Sequence, residues 1–175
     1  MLEGCGIIFE VDESVFSRFG IIRNLTGAGD TRDTIWILGG IDRTKKRNFF
    51  LRRVTVRTIG SLIAATMPNI KNDSILFTDG LPSYPSVAKN LNFRHKIVNH
   101  SEGFGLEDGI YTNNIEGFFG HVKSTMRKEN GVFRDHIDAW LSKYTFKRRY
   151  TLGKSNEESS EVYIDILKNY FYKNY

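Results

Sequence analysis

The sequence is poor in cysteine and proline and has no long apolar run. Its single cysteine, Cys5, excludes an intrachain disulfide and a multi-cysteine zinc site. Three prolines among 175 residues exclude collagen-like and proline-rich architectures. No run approaches the roughly 20 apolar residues that a bilayer-spanning helix needs, and the start lacks the features of a secretory signal. We therefore expect no membrane partner and an intracellular location, nuclear in a eukaryote and cytoplasmic in a bacterium.

What is present is typical of a globular chain. Hydrophobic residues make up 40% and charged residues 26% of the sequence, which is incompatible with wholesale disorder. The length of 175 residues favours one compact domain with a terminal appendage. Lys and Arg number 25 against 20 Asp and Glu, and the net charge of +5 permits a polyanionic partner without requiring one.

Runs of apolar residues and helical spacings alternate along the chain. Runs with strand character cover 7–12, 34–41, 48–54, 74–79 and 93–98. Helical spacings cover 59–67, 84–91, 113–128, 134–150 and 159–173. This order predicts an α/β fold with a mixed five-stranded sheet, which begins as an antiparallel meander and is flanked by helices. Ribonuclease H-like domains use the same order of elements.

Two acidic residues stand at the ends of predicted strands. Asp12 and Asp79 each follow an apolar run, where open α/β sheets usually place ligands. If the two carboxylates meet in space they repel each other, and a divalent metal ion is a common way to offset that repulsion. The alternative is that each aspartate only begins a turn.

A third acid, Glu116, lies at the start of the helix predicted over 113–128. Asn113 and Glu116 also have the spacing of a capping box, with Asn113 as N-cap. The two interpretations are compatible, because an acid in a first turn can also face a metal ion. Lys123 and Arg127 share a helix face with Glu116, so they could hold the phosphates of a bound nucleic acid or form an ordinary solvated face.

Five segments in register resemble a DDE transposase domain of the type shared by eukaryotic Merlin elements and related bacterial insertion sequences. They are Val11–Ser14, Leu38–Arg43, Thr78–Gly80 with Tyr84, Val98–Ser101 and Thr112–Glu116. They occur in the order of the family and cover roughly residues 5–150, which is nearly the whole chain.

The resemblance implies a ribonuclease H-like fold that cuts and joins DNA with two divalent ions, Mg²⁺ or Mn²⁺. The catalytic and metal-binding triad would be Asp12, Asp79 and Glu116, with Asn113 as the competing third position. The partners would be transposon ends and target DNA. The DNA-contacting cations would be Lys123 and Arg127, extended by Lys45 and Lys46 of a basic turn.

The domain organisation follows from the same resemblance. We expect a catalytic domain over 1–151 and a C-terminal helical extension over 152–175. Only eleven residues precede Asp12 and no Cys/His cluster is present, so no separate DNA-binding domain is evident. The last helix either packs on its own core or joins a homodimer or higher oligomer. A catalytically silent or domesticated DNA-binding remnant, or another ribonuclease H-like nuclease, are the alternative functions.

Overall fold

The computed structural model describes residues 6–16, 22–23, 34–45, 47–98 and 112–174. Seven strands are present in this part of the chain: β1 Ile8–Val15, β2 Ile22–Arg23, β3 Trp36–Asp42, β4 Phe49–Val54, β5 Ile75–Thr78, β6 Arg94–Ile97 and β7 Val132–Phe133. The helices are α1 Ile59–Thr66, α2 Tyr84–Asn90, α3 Asn113–Lys128, α4 Ile137–Phe146 and α5 Asn156–Asn174.

The main sheet has five strands in the order β4-β3-β1-β5-β6. β1, β3 and β4 are antiparallel neighbours, whereas β5 and β6 run parallel to β1. The predicted mixed sheet with a leading meander is therefore confirmed. Because β1 and β5 are parallel neighbours, their carboxyl ends lie at the same edge of the sheet, and this edge carries Asp12 and Asp79.

Two details differ from the prediction. β2 and β7 form a separate parallel pair, which the sequence did not indicate because strands of two residues are too short to show a period. The helix predicted over 134–150 is α4 with a 3-10 turn before it and a π-helical turn over Lys147–Thr151 after it.

The hydrophobic core lies on both faces of the sheet. On one face α3 and α4 pack against the strands through Ile37, Phe49, Phe119, Val122 and Leu141. On the other face α1 and α2 cover a second cluster that includes Phe9, Val11, Leu62 and Tyr84. Such double coverage explains why β3 carries buried apolar residues on both faces.

Gly39 of β3 sets the distance between the sheet and α3. A Cβ atom at this position would lie 2.8 Å from the ring of Phe119 and 3.1 Å from Ile115, which is closer than side chains normally approach. Gly39 pairs with Asp12 on β1, so the close packing occurs beside the predicted site. The absence of a side chain here lets α3 lie near the strand that carries Asp12.

The last helix, α5, is exposed along most of its length. Tyr163 stacks on Phe146 of α4, with ring centroids 4.8 Å apart, whereas Ile164 and Leu167 are 50% and 56% exposed. Packing of the whole apolar side on the core is therefore not observed. Within the described part of the chain, no helix combines the length and the apolarity that a membrane crossing requires.

Candidate active site

The alternation of side chains along β1 distributes its polar residues between the two faces of the sheet. Glu10 and Ser14 face α3, since both hydrogen-bond to residues of that helix. Asp12 lies two residues from each of them along the strand, so its side chain points to the same face of the sheet. Glu13 points to the other face, where the hydroxyl of Tyr84 donates a hydrogen bond of 2.8 Å to its carboxylate.

The carboxylates of Asp12, Glu13 and Asp79 form a cluster, with one oxygen of each lying within 4.8 Å of the others. Pairing between β1 and β5 ends at Glu10 and Phe77. Past that point no described strand pairs with β1 on this side, so Asp12 and Glu13 both reach the end of β5. Asp79 follows β5 directly, and its Oδ1 accepts a hydrogen bond from the backbone N–H of Leu81 at 3.1 Å.

The clustering changes the ionisation of two carboxyl groups. Burial, and after it the negative charges of Asp79, Glu13 and Glu116, together raise the pKa of Asp12 to about 7, against a lowering by the backbone N–H of Glu13. Burial also raises the pKa of Glu13, and the Tyr84 hydrogen bond partly offsets that rise. The site therefore disfavours accumulated negative charge and favours a bound cation.

Glu13 is the member of the cluster that the sequence analysis missed. Its Oε2 is held by Tyr84, while its buried Oε1 makes no hydrogen bond with any described residue. Tyr84 is fully buried, and burial together with the Glu13 charge raises its pKa well above the usual value, so the phenol stays protonated and donates. A fixed carboxylate with one unsatisfied oxygen suits a metal ligand.

Glu10 anchors the start of α3 to β1 and was also missed. Its fully buried carboxylate accepts hydrogen bonds from the backbone N–H groups of Asn114 and Ile115, at 2.8 and 3.0 Å, and from the Asn114 side chain. Arg43 forms an ion pair with it at 3.2 Å. A carboxylate in the middle of an apolar strand was the signal available in the sequence, because a buried charge requires partners.

The capping box predicted for α3 is wrong. The N-cap residue is Thr112, whose side chain makes no capping hydrogen bond, and Asn113 is the exposed first residue of the helix. The free amides of the first turn are bound by Glu10 from the neighbouring strand instead. A tertiary contact has thus replaced the local cap that the spacing of Asn113 and Glu116 suggested.

Glu116 lies near the acidic cluster without belonging to it. It is an exposed residue in the first turn of α3, and its negative charge contributes to the raised pKa of Asp12. The groups within 4.8 Å of one another are Asp12, Glu13 and Asp79, so the third acid in contact is Glu13. The choice between Glu116 and Asn113 as a further ligand stays a prediction.

Lys123 borders the cluster from α3. Its ammonium donates a hydrogen bond of 2.6 Å to the hydroxyl of Ser14 and lies 5.1 Å from the centre of the Phe16 ring. Burial lowers the pKa of Lys123, as does the neighbouring Arg127, while the charge of Asp12 opposes the shift. A cation therefore lies beside Asp12, as the shared helix face predicted, and the exposed Arg127 continues the same stripe.

The basic turn after β3 lies elsewhere. Asp42 at the end of β3 pairs with Phe9, whereas Gly39 in the middle of β3 pairs with Asp12, so the turn begins beyond the end of the strand and the acidic cluster lies beside its centre. Asp42 shapes this turn by accepting a hydrogen bond of 3.0 Å from the backbone N–H of Lys45. A DNA contact at Lys45 stays a prediction, and Lys46 and residues 99–101 lie outside the described residues.

The donor set fits a hard divalent ion. The three clustered side chains offer only carboxylate oxygens, the ligands that Mg²⁺ and Mn²⁺ prefer. The Oε1 atom of Glu13 accepts no hydrogen bond from any described residue, so it is available as a metal ligand. Mutual repulsion of the carboxylates, seen in the raised pKa of Asp12, would be relieved by a cation.

A ribonuclease H-like sheet with carboxylates in the second half of one central strand and directly after its parallel neighbour defines a domain of the DDE transposase class. Residues 10–149 match the family of ISXO2-like transposase domains, and the chain belongs to this family. The DDE transposase resemblance inferred from the sequence is therefore confirmed. An uncharacterized transposase-like protein of Haemophilus influenzae (strain ATCC 51907 / DSM 11121 / KW20 / Rd) is 34% identical over 108 residues, which are 62% of this chain and 80% of the relative.

Solved structures share the fold at low sequence identity. The crystal structure of the catalytic core domain of BIV integrase has a TM-score of 0.51 at 9% identity, covering 94% of this chain and 97% of that one. A chain of the simian T-cell lymphotropic virus intasome in complex with PP2A regulatory subunit B56 gamma has a TM-score of 0.54 at 13% identity. That match covers 82% of this chain, which spans 48% of the viral-complex chain. Both likenesses support the ribonuclease H-like fold.

Proposed function

We propose that this domain cuts DNA and joins DNA strands by metal-dependent phosphoryl transfer, with Asp12, Asp79 and Glu116 as its catalytic acids. The observation that carries the proposal is the cluster of carboxylates from the second half of β1 and the end of β5 in a chain of the transposase family. The proposed substrates are the ends of a mobile element and its target DNA, held by a homodimer or higher oligomer.

Asp12 and Asp79 would hold two Mg²⁺ or Mn²⁺ ions, with Glu13 and Glu116 contributing from the two faces of β1. Bound divalent ions supply Lewis acidity at the reacting phosphate and make an attacking hydroxyl more acidic. The burial that raises the pKa of Asp12 to about 7 keeps part of this carboxyl protonated near neutral pH in the metal-free chain. Ion binding would therefore release a proton from the cluster.

The cations of α3 would hold the DNA backbone. Lys123 lies beside Asp12, and Arg127 follows one turn later on the same exposed stripe, so both can contact phosphates next to the reacting one. Contacts of this kind do not read the base sequence and weaken as salt rises. Selection of particular DNA ends requires further groups.

The test is cleavage and strand transfer on duplex DNA in Mn²⁺. We expect Asp12→Asn and Asp79→Asn each to lower the rate at least about a hundredfold, because several kcal/mol of transition-state stabilisation depend on the metal site. Asp165→Asn on exposed α5 is the matched control and should retain wild-type activity. Full activity in either site variant would refute the metal-site assignment.

Further variants assign the remaining ligands. Glu116→Gln, Asn113→Ala and Glu13→Gln, compared in the same assay, identify which side chain completes the site. RNA–DNA hybrid and branched substrates, run beside duplex DNA, separate a transposase from another ribonuclease H-like nuclease. DNA binding without cleavage in any divalent ion would indicate a silent remnant.

A further inference from the structure

A second cavity lies on the far side of α3 from the acidic cluster. Its volume is about 190 Å³, and α3, α4 and the π-helical turn enclose it. The residues that line it include His121, Trp140, Lys143, Tyr144, Lys147 and Arg148. None of them belongs to the site described above.

Two stacked aromatic rings form one wall of the cavity. Trp140 and Tyr144 lie with ring centroids 5.1 Å apart and planes inclined by 16°. The indole N–H of Trp140 donates a hydrogen bond of 2.6 Å to Glu129, which fixes the orientation of the ring. Because Trp140 is only partly buried, a flat ligand can stack against this preorganised pair.

The hydroxyl of Tyr144 is a buried polar group whose proton has no acceptor among the described residues. Tyr144 is 9% exposed, and its hydroxyl donates no hydrogen bond to any described residue. Burial raises the pKa of Tyr144, and Arg148 opposes this rise through its charge and its contact with the hydroxyl oxygen, so the hydroxyl keeps its proton. A buried donor left unpaired is costly and points to a ligand that pairs with it.

The mouth of the cavity is cationic. Lys143 and Lys147 are exposed there, and Arg148 is close enough to lower the pKa of His121. The one carboxylate among the described residues of the cavity, Glu129, accepts a hydrogen bond from Trp140. The three cations therefore outnumber the negative charge at the mouth. A ligand for this cavity therefore combines an aromatic ring, a hydrogen-bonding group and a phosphate.

The surface of α3 between the cavity and the acidic cluster carries small residues. Thr125 of the cavity lies nine residues after Glu116, about 180° around the helix. Gly117, Gly120 and Ser124 fall between these two directions, and a Cβ at either glycine would meet nothing within 4 Å. Each glycine in a helix costs about 1 kcal/mol of stability relative to alanine. Close packing does not require a glycine at either of these two positions. A chain crossing α3 can therefore lie close to the helix backbone.

We propose that this cavity binds one unpaired nucleotide of DNA, with its base stacked on Trp140, a base edge hydrogen-bonded to Tyr144 and its phosphate held by Lys147 and Arg148. The inference rests on the proposed function, because the nucleotide belongs to the strand whose phosphate lies at the acidic cluster. Base stacking on aromatic side chains with cations along the backbone is the usual chemistry of single-strand recognition.

Binding of fluorescent dT10 in EDTA tests the proposal without cleavage. We expect Tyr144→Phe to weaken dT10 binding about three- to tenfold and Lys147→Ala to weaken it by a similar factor. The matched controls Tyr163→Phe and Lys154→Ala, both exposed and outside the cavity, should bind like wild type. Tyr144→Phe should change the melting temperature little, because the contact of the hydroxyl with Arg148 is lost while its unused proton is removed as well.

To locate the bound strand, both tryptophans of the wild-type protein are replaced by 5-fluorotryptophan, and their ¹⁹F NMR signals are compared with and without dT10. The ¹⁹F signal of Trp140 should shift with dT10, while that of Trp36 should not. An unshifted Trp140 signal, or dT10 affinity unchanged in Tyr144→Phe, overturns the inference even if Asp12→Asn abolishes cleavage. A phosphotyrosine peptide offers a similar ring and phosphate, and its binding at Trp140 without dT10 binding would also overturn it.

Discussion

At the scale of single residues, the acidic cluster places unfavourable electrostatics at the edge of the sheet. Three carboxylates within 4.8 Å of one another repel, and burial keeps water from screening them. A bound cation would offset the repulsion between the carboxylates, so the cluster lowers stability only in the metal-free protein. The cost is measurable in the metal-free protein as a dependence of stability on pH.

We expect Asp12→Asn to stabilise the metal-free protein at pH 8 but not at pH 4. The folded pKa of Asp12 is about 7 against an unfolded value of 3.8, so wild-type stability falls as pH rises between these values. The full shift corresponds to about 4 kcal/mol, and partial solvation of the carboxyl reduces the expected gain to about 1–2 kcal/mol. Urea unfolding in EDTA at both pH values measures it.

Glu161→Gln on exposed α5 is the control for that experiment and should show the same stability as wild type at both pH values. An advantage of Asp12→Asn that is equal at pH 4 and pH 8 would contradict the raised pKa of Asp12.

The residues of the site were predictable to different extents. Asp12 and Asp79 could be found because each ends an apolar run of the sequence, and parallel strands direct their carboxyl ends to one edge of a sheet. The structure differs in that β1 continues past Asp12 to Val15. Glu13 could not be found in this way, because alternation along a strand assigns neighbours to opposite faces. Only the end of the β1–β5 pairing at Glu10 and Phe77 lets Glu13 reach the same space.

At the scale of elements, the position of α3 relative to β1 decides whether its side chains reach the cluster. Glu10 holds the first turn of the helix, and Gly39 lets the helix approach the sheet. The positions of Glu116 and Lys123 therefore depend on two residues outside the acidic cluster. The periodicity of residues 113–128 predicted the helix with its bounds but not the strand to which it is tied.

We expect Glu10→Gln to destabilise the protein by about 2–4 kcal/mol, because a neutral amide replaces a buried carboxylate that pairs with Arg43 and two backbone N–H groups. Hydrogen exchange of the amides of Asn114 and Ile115 should accelerate in the variant. Glu157→Gln, an exposed change in α5, is the control. Unchanged exchange at these amides would show that Glu10 does not hold the helix.

At the scale of the whole molecule, α5 is largely exposed and contacts α4 through one stacked pair of rings. The sequence left two alternatives for its apolar side, packing on the core or on another subunit. The structure shows contact with α4 through the stacking of Tyr163 on the half-buried Phe146, and exposure of Ile164 and Leu167. Division into a catalytic domain over 1–151 and an extension over 152–175 stays a prediction.

We expect Leu167→Ala to change the free energy of unfolding by less than about 0.5 kcal/mol, because exposed substitutions away from the core are nearly neutral. Leu62→Ala, in the fully buried core, should cost about 2–5 kcal/mol under the same conditions. Urea unfolding at two protein concentrations tenfold apart is the measurement. A larger cost at Leu167 that depends on concentration would mean that a second copy covers this side of α5.

The sequence by itself determined the order of strands and helices and two of the clustered acids, because periodicity and strand ends are local properties of the chain. Tertiary structure decided which partners these elements meet. It placed Glu13 beside Asp12 and Asp79. It also let Glu10 hydrogen-bond to the first turn of α3, and it placed Trp140 and Tyr144 along one cavity. Each of these contacts joins residues whose distance in space depends on packing, which no short stretch of sequence encodes.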